Sequence, residues 1–291
     1  MLRVARPVAD RSVGETAVVE ALPDAVVGLF HLLTYLGDPV TLLSLVAVGY
    51  LLAAHLGLRP TRVATVIGLA LGGLALTLAL KYGFALPRPP GAGADGFGFP
   101  SGHAVGATVV YGGAAGLVFP DDRRVTGVAV AIVAVVAASR VIVGVHYLVD
   151  AVVGVAVGVG YLAVAVRLGP GRAADEVSPA GAARTFALAA GLGLAAVSVT
   201  VVVDTVAALA AAVGGWLGWR FAGERVADAA GTTRRLVASV AVLPAVGLAA
   251  SHVATGDPSL PVAAVLTGSV VALVVAVPGL SVLGARDRPS S

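Results

Sequence analysis

Cysteine, asparagine and glutamine are absent from the 291 residues, and lysine and methionine occur once each. Without cysteine, the chain has neither disulfide bonds nor thiolate metal ligands. Without asparagine and glutamine, it has no N-glycosylation sequon and no side-chain amide for binding or catalysis. Any polar chemistry must therefore come from hydroxyl groups, charged side chains, histidines and backbone amides.

Charged residues are scarce as well, at 12% of the chain against 58% hydrophobic residues, and the mean hydropathy is +0.97. A soluble domain carries about 25% charged residues, so this balance indicates a polytopic membrane protein. The 38 glycines are typical of closely packed transmembrane helices. The pI near 9.6 does not indicate nucleic-acid binding, because the arginines lie in short clusters between apolar runs.

Apolar runs separated by charged or Gly/Pro-rich turns predict an all-α bundle of ten transmembrane spans. The predicted spans are 21–36, 40–58, 63–80, 104–119, 125–138, 148–166, 185–203, 205–219, 236–254 and 260–283. The first is short for a span, so the sequence leaves open whether it crosses the membrane. A long polar linker separates the first six spans from the last four.

This division predicts five regions. Residues 1–20 have mixed charge, lack the features of a cleavable signal and are expected to form a cytoplasmic tail. Residues 21–167 form a six-span region and 168–184 a polar linker. Residues 185–285 form a four-span region without an assigned role, and 286–291 a short tail.

The loop charges predict the orientation, since lysine and arginine accumulate in short cytoplasmic loops. With the N-terminus inside, 16 of the 18 arginines fall on the inner side, and both termini of this multi-pass cell-membrane protein are cytoplasmic. Lys81, Arg88 and Arg140 fall on the outer side, together with His103 and His146. Three cations on the disfavoured side indicate a shared anion at the outer surface.

The same stretch holds the groups that phosphate binding needs. Lys81 supplies a compact charge, and Arg88 and Arg140 supply planar forks for phosphate oxygens. Ser101 and Gly102 lie just before a predicted helix. The first backbone amides of that helix, with its dipole, are expected to attract the same anion.

A histidine and an aspartate in this stretch are spaced for nucleophilic catalysis. His146 and Asp150 are four residues apart. If the sixth span begins at or before His146, the carboxylate can reach one imidazole nitrogen and leave the other free to attack. His103 is then available to protonate a leaving oxygen.

Three motifs follow one another in the sequence: Lys81-x6-Arg88-Pro89, Pro100-Ser101-Gly102-His103 and Ser139-Arg140-x5-His146-x3-Asp150. Their order and spacing resemble the three-part signature of the type 2 phosphatidic acid phosphatase (PAP2) superfamily, which includes the vanadium haloperoxidases. The motifs that carry the resemblance lie within residues 80–150. The six-span layout extends the resemblance to residues 20–167. It does not extend to residues 168–291.

The resemblance implies a covalent mechanism that needs no metal and no cofactor. His146 would attack phosphorus to form a phosphohistidine and Asp150 would orient it. His103 would protonate the leaving group and later activate water. The remaining motif residues would bind the phosphate: Lys81, Arg88, Ser101, Gly102, Ser139 and Arg140.

The expected function is therefore an integral membrane phosphatase acting on a lipid phosphate or a polyprenyl diphosphate, with the bilayer and that substrate as partners. A phosphotransferase that passes the group to an alcohol would use the same motifs, so this alternative stays open. A transporter or flippase is a further alternative, motivated by the four C-terminal spans. No lysine or arginine lies within their apolar runs, whereas transporters keep ionisable groups near the midplane. The oligomeric state stays open.

Overall fold

The computed structural model describes residues 11–170, 177–227, 232–256 and 258–280, and within these ranges every regular element is helical. The helices are α1 Glu15–Glu20, α2 Asp24–Leu33, α3 Pro39–Leu52, α4 Pro60–Phe84, α5 Gly102–Gly113, α6 Arg123–Ile142, α7 Leu148–Leu168, α8 Pro179–Val199, α9 Val203–Ala227, α10 Thr233–Thr255 and α11 Leu260–Leu280. A 3-10 turn, Thr34–Gly37, follows α2, and a π-helical turn, Ala114–Val118, extends α5. The predicted all-α fold is confirmed.

Among the described helices, six are long and apolar enough to cross a membrane: α4, α6, α7, α8, α9 and most of α11. Helix α2 with its 3-10 turn and α3 form a pair bent by 48°, which would count as one broken span. The helix Gly102–Val118 is apolar but shorter. The membrane-type helical bundle is therefore confirmed by length and composition, whereas the number of crossings stays a prediction.

The segment that precedes α3 stays at one end of the bundle. A Glu15 carboxylate oxygen accepts a hydrogen bond from the Leu148 amide at 3.0 Å, where α7 begins. The Thr34 hydroxyl contacts the Arg140 guanidinium near the end of α6, which is the same end of the bundle. Helix α2 has ten residues and is only about 15 Å long. Residues 21–36 therefore begin and end at the same end of the bundle, while each of the other nine predicted runs falls on a helix.

Several helices continue beyond the apolar runs that predicted them. Helix α6 ends at Ile142, so Arg140 lies in its last turn and not in the connection to α7. Helix α9 extends to Ala227, eight residues beyond the predicted run 205–219, so the charged residues that follow this run begin in a helix. Arginine is a good helix former whose long side chain can reach polar surroundings while the backbone stays helical. The apolar run consequently marks only the middle of such a helix.

The C-terminal helices pack directly on the helices that carry the motifs. A Cβ added to Gly68 of α4 would lie 3.2 Å from the Cβ of Thr185 in α8, so glycine permits this close approach. The Tyr50 hydroxyl of α3 donates a hydrogen bond to the Val275 carbonyl of α11 at 2.6 Å. Buried residues of both regions form one continuous apolar core. The described part of the predicted C-terminal region therefore supports α4, the helix that carries Lys81.

The two ends of the described chain lie at opposite ends of the bundle. Arg11 contacts Asp150 in the first turn of α7. Pro278, near the end of α11, lies beside Pro60, where α4 begins and far from Lys81 at its other end. Residues 11 and 278 therefore lie at opposite ends of the bundle, whereas the sequence places both termini on one side; the membrane side that each terminus faces stays a prediction. The count of loop charges had no means of detecting the contact that draws Arg11 to Asp150.

Candidate active site

A cavity of about 180 Å³ lies where α4 ends and α5 begins, bordered by α3 and by the connection between α6 and α7. Apolar side chains of α3, α4 and α5 form most of its wall. Its polar lining comes from all three predicted motifs. The motif residues that line it are Lys81, Arg88, Gly102, His103, Arg140 and His146.

Arg88 fixes the imidazole of His146 from the loop that follows α4. One guanidinium nitrogen, Nη1, donates to the Val145 carbonyl at 3.1 Å and lies 3.2 Å from His146 Nε2. Its Nε donates to the Asp95 carbonyl at 3.0 Å. Because a guanidinium only donates, Nε2 must be the acceptor in this contact. We therefore assign the imidazole proton to Nδ1, and the Nε2 lone pair accepts from Arg88, which lines the cavity beside His146.

Asp150 lies on the other side of the same imidazole. Its Oδ2 is 3.5 Å from His146 Nδ1, and both side chains are buried. Helix α7 begins at Leu148, after the histidine, so the two residues do not share a helical turn as the spacing argument assumed. The pair still meets, because Asp150 folds back over the helix start and accepts a hydrogen bond from the Tyr147 amide at 3.1 Å.

Lys81 reaches the cavity from the last turn of α4. The helix ends at Phe84, where Ala85 adopts a left-handed conformation with φ of 49°. Lys81 Nζ donates to the Phe97 carbonyl at 2.6 Å. The rings of Tyr82 and Phe97 meet edge to face, with centroids 5.6 Å apart, and tie the same loop to α4. The loop thereby holds the ammonium group at the cavity.

The start of α5 borders the cavity, with Gly102 and His103 in its lining. Ser101 is its N-cap residue, and the Ser101 amide donates to the main-chain carbonyl of Asp150 at 2.9 Å. A Cβ added to Gly102 would lie 3.2 Å from Thr77 Cγ2 and 3.5 Å from Lys81 Cε. Glycine therefore lets the first turn of α5 approach Lys81 closely. The buried Ser101 hydroxyl has no hydrogen-bond partner among the described residues.

Arg140 and Ser139 are neighbours in α6, but their side chains lie in different surroundings. Arg140 lines the cavity, and its buried Nε has no hydrogen-bond partner within the described ranges. Ser139 is fully buried, does not line the cavity and donates its hydroxyl to the Val136 carbonyl at 2.7 Å. Consecutive helical residues point in directions about 100° apart, which accounts for the difference. The structure brings Arg140 to the site and leaves Ser139 outside it.

Residues 61–173 match the family model of the PAP2 superfamily. This part of the chain belongs to the PAP2 superfamily. No curated protein and no solved structure matches the chain. The PAP2 segment runs from α4 past the end of α7, so it contains every predicted site residue. Superfamily members are generally phosphatases, and the apolar helices agree with a membrane-bound one.

Arg11 lies outside the PAP2 segment and was missed by the sequence analysis. Its Nε is 2.8 Å from Asp150 Oδ1, and its Nη2 donates to Asp150 Oδ2 at 3.2 Å and to the Pro87 carbonyl at 2.8 Å. The guanidinium also lies over the rings of Phe99 and Tyr147. The predicted cytoplasmic tail had placed Arg11 at the opposite end from the site. No motif marks this arginine, because its partner is distant in sequence.

Burial lowers the pKa of His146 to about 4, the contact with Asp150 opposes this shift, and the charges of Lys81, Arg88 and Arg140 add to it. A lowered pKa means that the folded protein favours the neutral form of the histidine, so the His146 imidazole is uncharged near neutral pH. In the part of the chain that the structure describes, no group of three His, Asp or Glu side chains could hold a metal ion.

We expect the His146 imidazole to be neutral at about pH 5.5, where an ordinary histidine is about nine-tenths protonated. The measurement is NMR of protein labelled with ¹⁵N-histidine in detergent micelles, with the His146 signals assigned from their loss in His146→Ala. A midpoint near pH 4 is the expected result. A midpoint near the ordinary value of about 6.5 would contradict it.

Proposed function

We propose that the protein is an integral membrane phosphatase that hydrolyses a lipid phosphate or a polyprenyl diphosphate through a phosphohistidine on His146, without a metal. One observation carries the proposal. A single cavity has cations and two histidines at one end and an apolar wall along the rest of its length. A substrate with a phosphate head and an apolar tail matches both parts.

The cationic end suits a phosphate group. Lys81, Arg88 and Arg140 line it, and the first turn of α5 adds backbone amides at Gly102. A phosphate that is being transferred spreads negative charge over its oxygens, and fixed cations stabilise that charge best where water is excluded. The buried, unpartnered Nε of Arg140 is a donor that such an anion would satisfy.

The proposed reaction has two steps at phosphorus. In the first, the lone pair of His146 Nε2 leaves Arg88 and forms an N–P bond while the P–O bond to the leaving group breaks. Burial and the nearby cations lower the pKa of His103 to about 3, so His103 takes up a proton when the phosphate anion binds beside it and gives that proton to the leaving oxygen. Asp150 stabilises the imidazole as it becomes cationic. In the second, His103 takes a proton from water, whose oxygen attacks phosphorus. Inorganic phosphate leaves, and His146 is restored.

The apolar end supports a lipid-type substrate. On α4 the lining residues Ala70, Leu74, Leu78 and Lys81 recur at spacings of three and four, so they share one face of the helix. Ala70 lies eleven residues before Lys81, which is about 16 Å along the axis. A small polar phosphate ester would leave this wall uncovered. An acyl or prenyl chain would bury against it, at about 0.8 kcal/mol for each methylene.

We place the reaction at the outer membrane surface on the distribution of arginines. Arg59, Arg62, Arg123 and Arg124 lie at the beginnings of α4 and α6. Both helices run from there to the site, so these four arginines lie at the opposite end of the bundle. The positive-inside rule assigns that end to the cytoplasm.

Leu74→Trp is expected to lower kcat/KM for a long-chain lipid phosphate by about tenfold or more, because the indole fills the apolar part of the cavity. Hydrolysis of a short-chain, water-soluble phosphate ester should stay close to wild type. The measurement is phosphate release by detergent-purified full chain in the presence of EDTA.

The matched control is Val130→Trp, which adds a similar volume on α6 at a side chain that is 65% exposed. It should leave both substrates unaffected. Equal losses on the long and short substrates with Leu74→Trp would contradict the tail site. Wild-type protein that releases no phosphate from any lipid phosphate or polyprenyl diphosphate would overturn the proposed function, and strict dependence on an added metal would overturn its metal-free form.

A further inference from the structure

The N-terminal segment makes two charged contacts with the first turn of α7. Arg11 pairs with the Asp150 carboxylate, and Glu15 accepts a hydrogen bond from the Leu148 amide at 3.0 Å. Glu15 also accepts hydrogen bonds from the Ser12 hydroxyl and the Val13 amide, which order the short stretch between the two contacts. The segment therefore arrives at the candidate active site in a defined conformation, although it lies outside the family match.

Arg11 binds Asp150 with two nitrogens. Nε lies 2.8 Å from Oδ1 and Nη2 lies 3.2 Å from Oδ2, so the two groups meet fork to fork. The Arg11 side chain is 9% exposed and that of Asp150 is not exposed. A two-point contact fixes the plane of a carboxylate as well as its position, which a single hydrogen bond does not. The guanidinium is itself held, by the Pro87 carbonyl and by the Tyr147 ring at 4.9 Å.

The plane of that carboxylate decides how Asp150 meets His146. Oδ2 is the oxygen nearest the imidazole, at 3.5 Å from Nδ1, and Nδ1 has no hydrogen-bond partner among the described residues. The Tyr147 amide, at 3.1 Å, also reaches Oδ2. Without the fork of Arg11, the carboxylate could rotate about its bond to Cβ, and the approach of Oδ2 to Nδ1 would change.

We propose that Arg11 is a positioning residue of the active site, which acts through Asp150 to orient His146 and so makes the N-terminal segment part of the catalytic unit. The proposal rests on the proposed function of His146 as nucleophile. Arg11 does not line the cavity, so its contribution is to the attacking group and not to substrate binding. Its positive charge also offsets that of Asp150, which keeps the imidazole from becoming too basic.

The effect of Arg11 on the pKa of His146 depends on every charge around the His146–Asp150 pair. The charged and titratable groups that face it come from six parts of the chain: Arg11 before α1, Glu15 in α1, Lys81 in α4, Arg88 in the following loop, His103 in α5 and Arg140 in α6. Removal of one cation from this set favours the protonated imidazole. The midpoint of His146 should therefore rise when Arg11 becomes neutral.

The experiment compares Arg11→Gln and Arg11→Lys with wild type in the full chain. Phosphate release and the His146 NMR titration are measured on each protein. Arg11→Gln is expected to lower kcat by about 10- to 100-fold with KM unchanged, and to raise the His146 midpoint by about one pH unit. Arg11→Lys keeps a charge but cannot donate in parallel from two nitrogens. Its midpoint should stay near that of wild type while kcat remains reduced.

Glu15→Ala tests whether Arg11 acts by positioning Asp150 or only by attaching the N-terminal segment to α7. It removes the other contact with α7 and leaves Arg11 in place, so kcat should stay close to wild type, and the His146 midpoint should not rise because an anion and not a cation is lost. An equal loss of kcat in Glu15→Ala and Arg11→Gln, with unmoved midpoints, would reduce Arg11 to an attachment point and overturn the proposal. So would an unchanged kcat in Arg11→Gln. If His146→Ala also retained activity, the proposed function itself would fail, which distinguishes the two failures.

Discussion

Replacing His146 with alanine is expected to abolish phosphate release and to prevent formation of a phosphorylated enzyme. The imidazole provides the protein nucleophile of the proposed mechanism, and His146 lines the cavity together with Lys81, Arg88 and Arg140. Those cations would still bind the phosphate, so the variant should still bind its substrate although the chemical step is lost. Loss of a nucleophile in comparable enzymes lowers kcat by about 10⁴-fold or more.

The measurement uses a ³²P-labelled lipid phosphate, with the reaction stopped in alkali because phosphohistidine is labile in acid. The matched control is His55→Ala. His55 lies at the opposite end of the bundle, 3.0 Å from the Thr232 carbonyl, so the same change in chemistry falls outside the cavity. His55→Ala should retain activity and labelling. A labelled, active His146→Ala protein would remove the proposed nucleophile.

Replacing His103 with alanine is expected to slow hydrolysis of an alkyl phosphate by about 10²- to 10⁴-fold, the range that a general acid contributes. An alkoxide leaves poorly unless it is protonated, and His103 is the second imidazole of the cavity. An aryl phosphate with an acidic phenol leaves without a proton. For that substrate the first step should stay fast, while the second still lacks the base that activates water.

The His103→Ala protein should therefore accumulate phosphohistidine with the aryl substrate and release phosphate slowly. Rapid-quench measurement of a burst of phenol, equal in amount to the enzyme, tests this expectation. The double variant His103→Ala/His146→Ala is the control and should give no burst. Equal losses on the alkyl and aryl substrates, with no burst, would contradict the role of His103 as proton donor.

The polar residues of the PAP2 segment could be placed from the sequence because so little else in the chain is polar. Lys81, Arg88, His103, Arg140 and His146 line one cavity, as their grouping in the sequence indicates. An apolar background makes each of them costly to bury without a purpose. Ser139 does not line the cavity, because its hydroxyl returns to the preceding turn of its own helix, and its role as a phosphate ligand stays a prediction.

The position of the N-terminal segment could not be predicted in this way. Arg11 and Asp150 are 139 residues apart, and nothing in the local pattern around either one indicates the other. The rule that placed Arg11 at the opposite end counts cations and takes no account of a buried carboxylate that needs a partner. The helix ends were uncertain for a related reason: hydropathy measures the apolar middle of a helix, whereas its hydrogen bonds decide where it stops.

Because residues 11 and 278 lie at opposite ends of the bundle, the number of times the chain crosses the bundle between them must be odd. A chain that starts at the site end and finishes at the other end crosses the bundle an odd number of times, whatever that number is. An even count, such as the ten crossings that hydropathy predicts, cannot satisfy this condition. We therefore expect reporters near Arg11 and near Pro278 to read different compartments. This conclusion holds for either orientation of the protein in the bilayer.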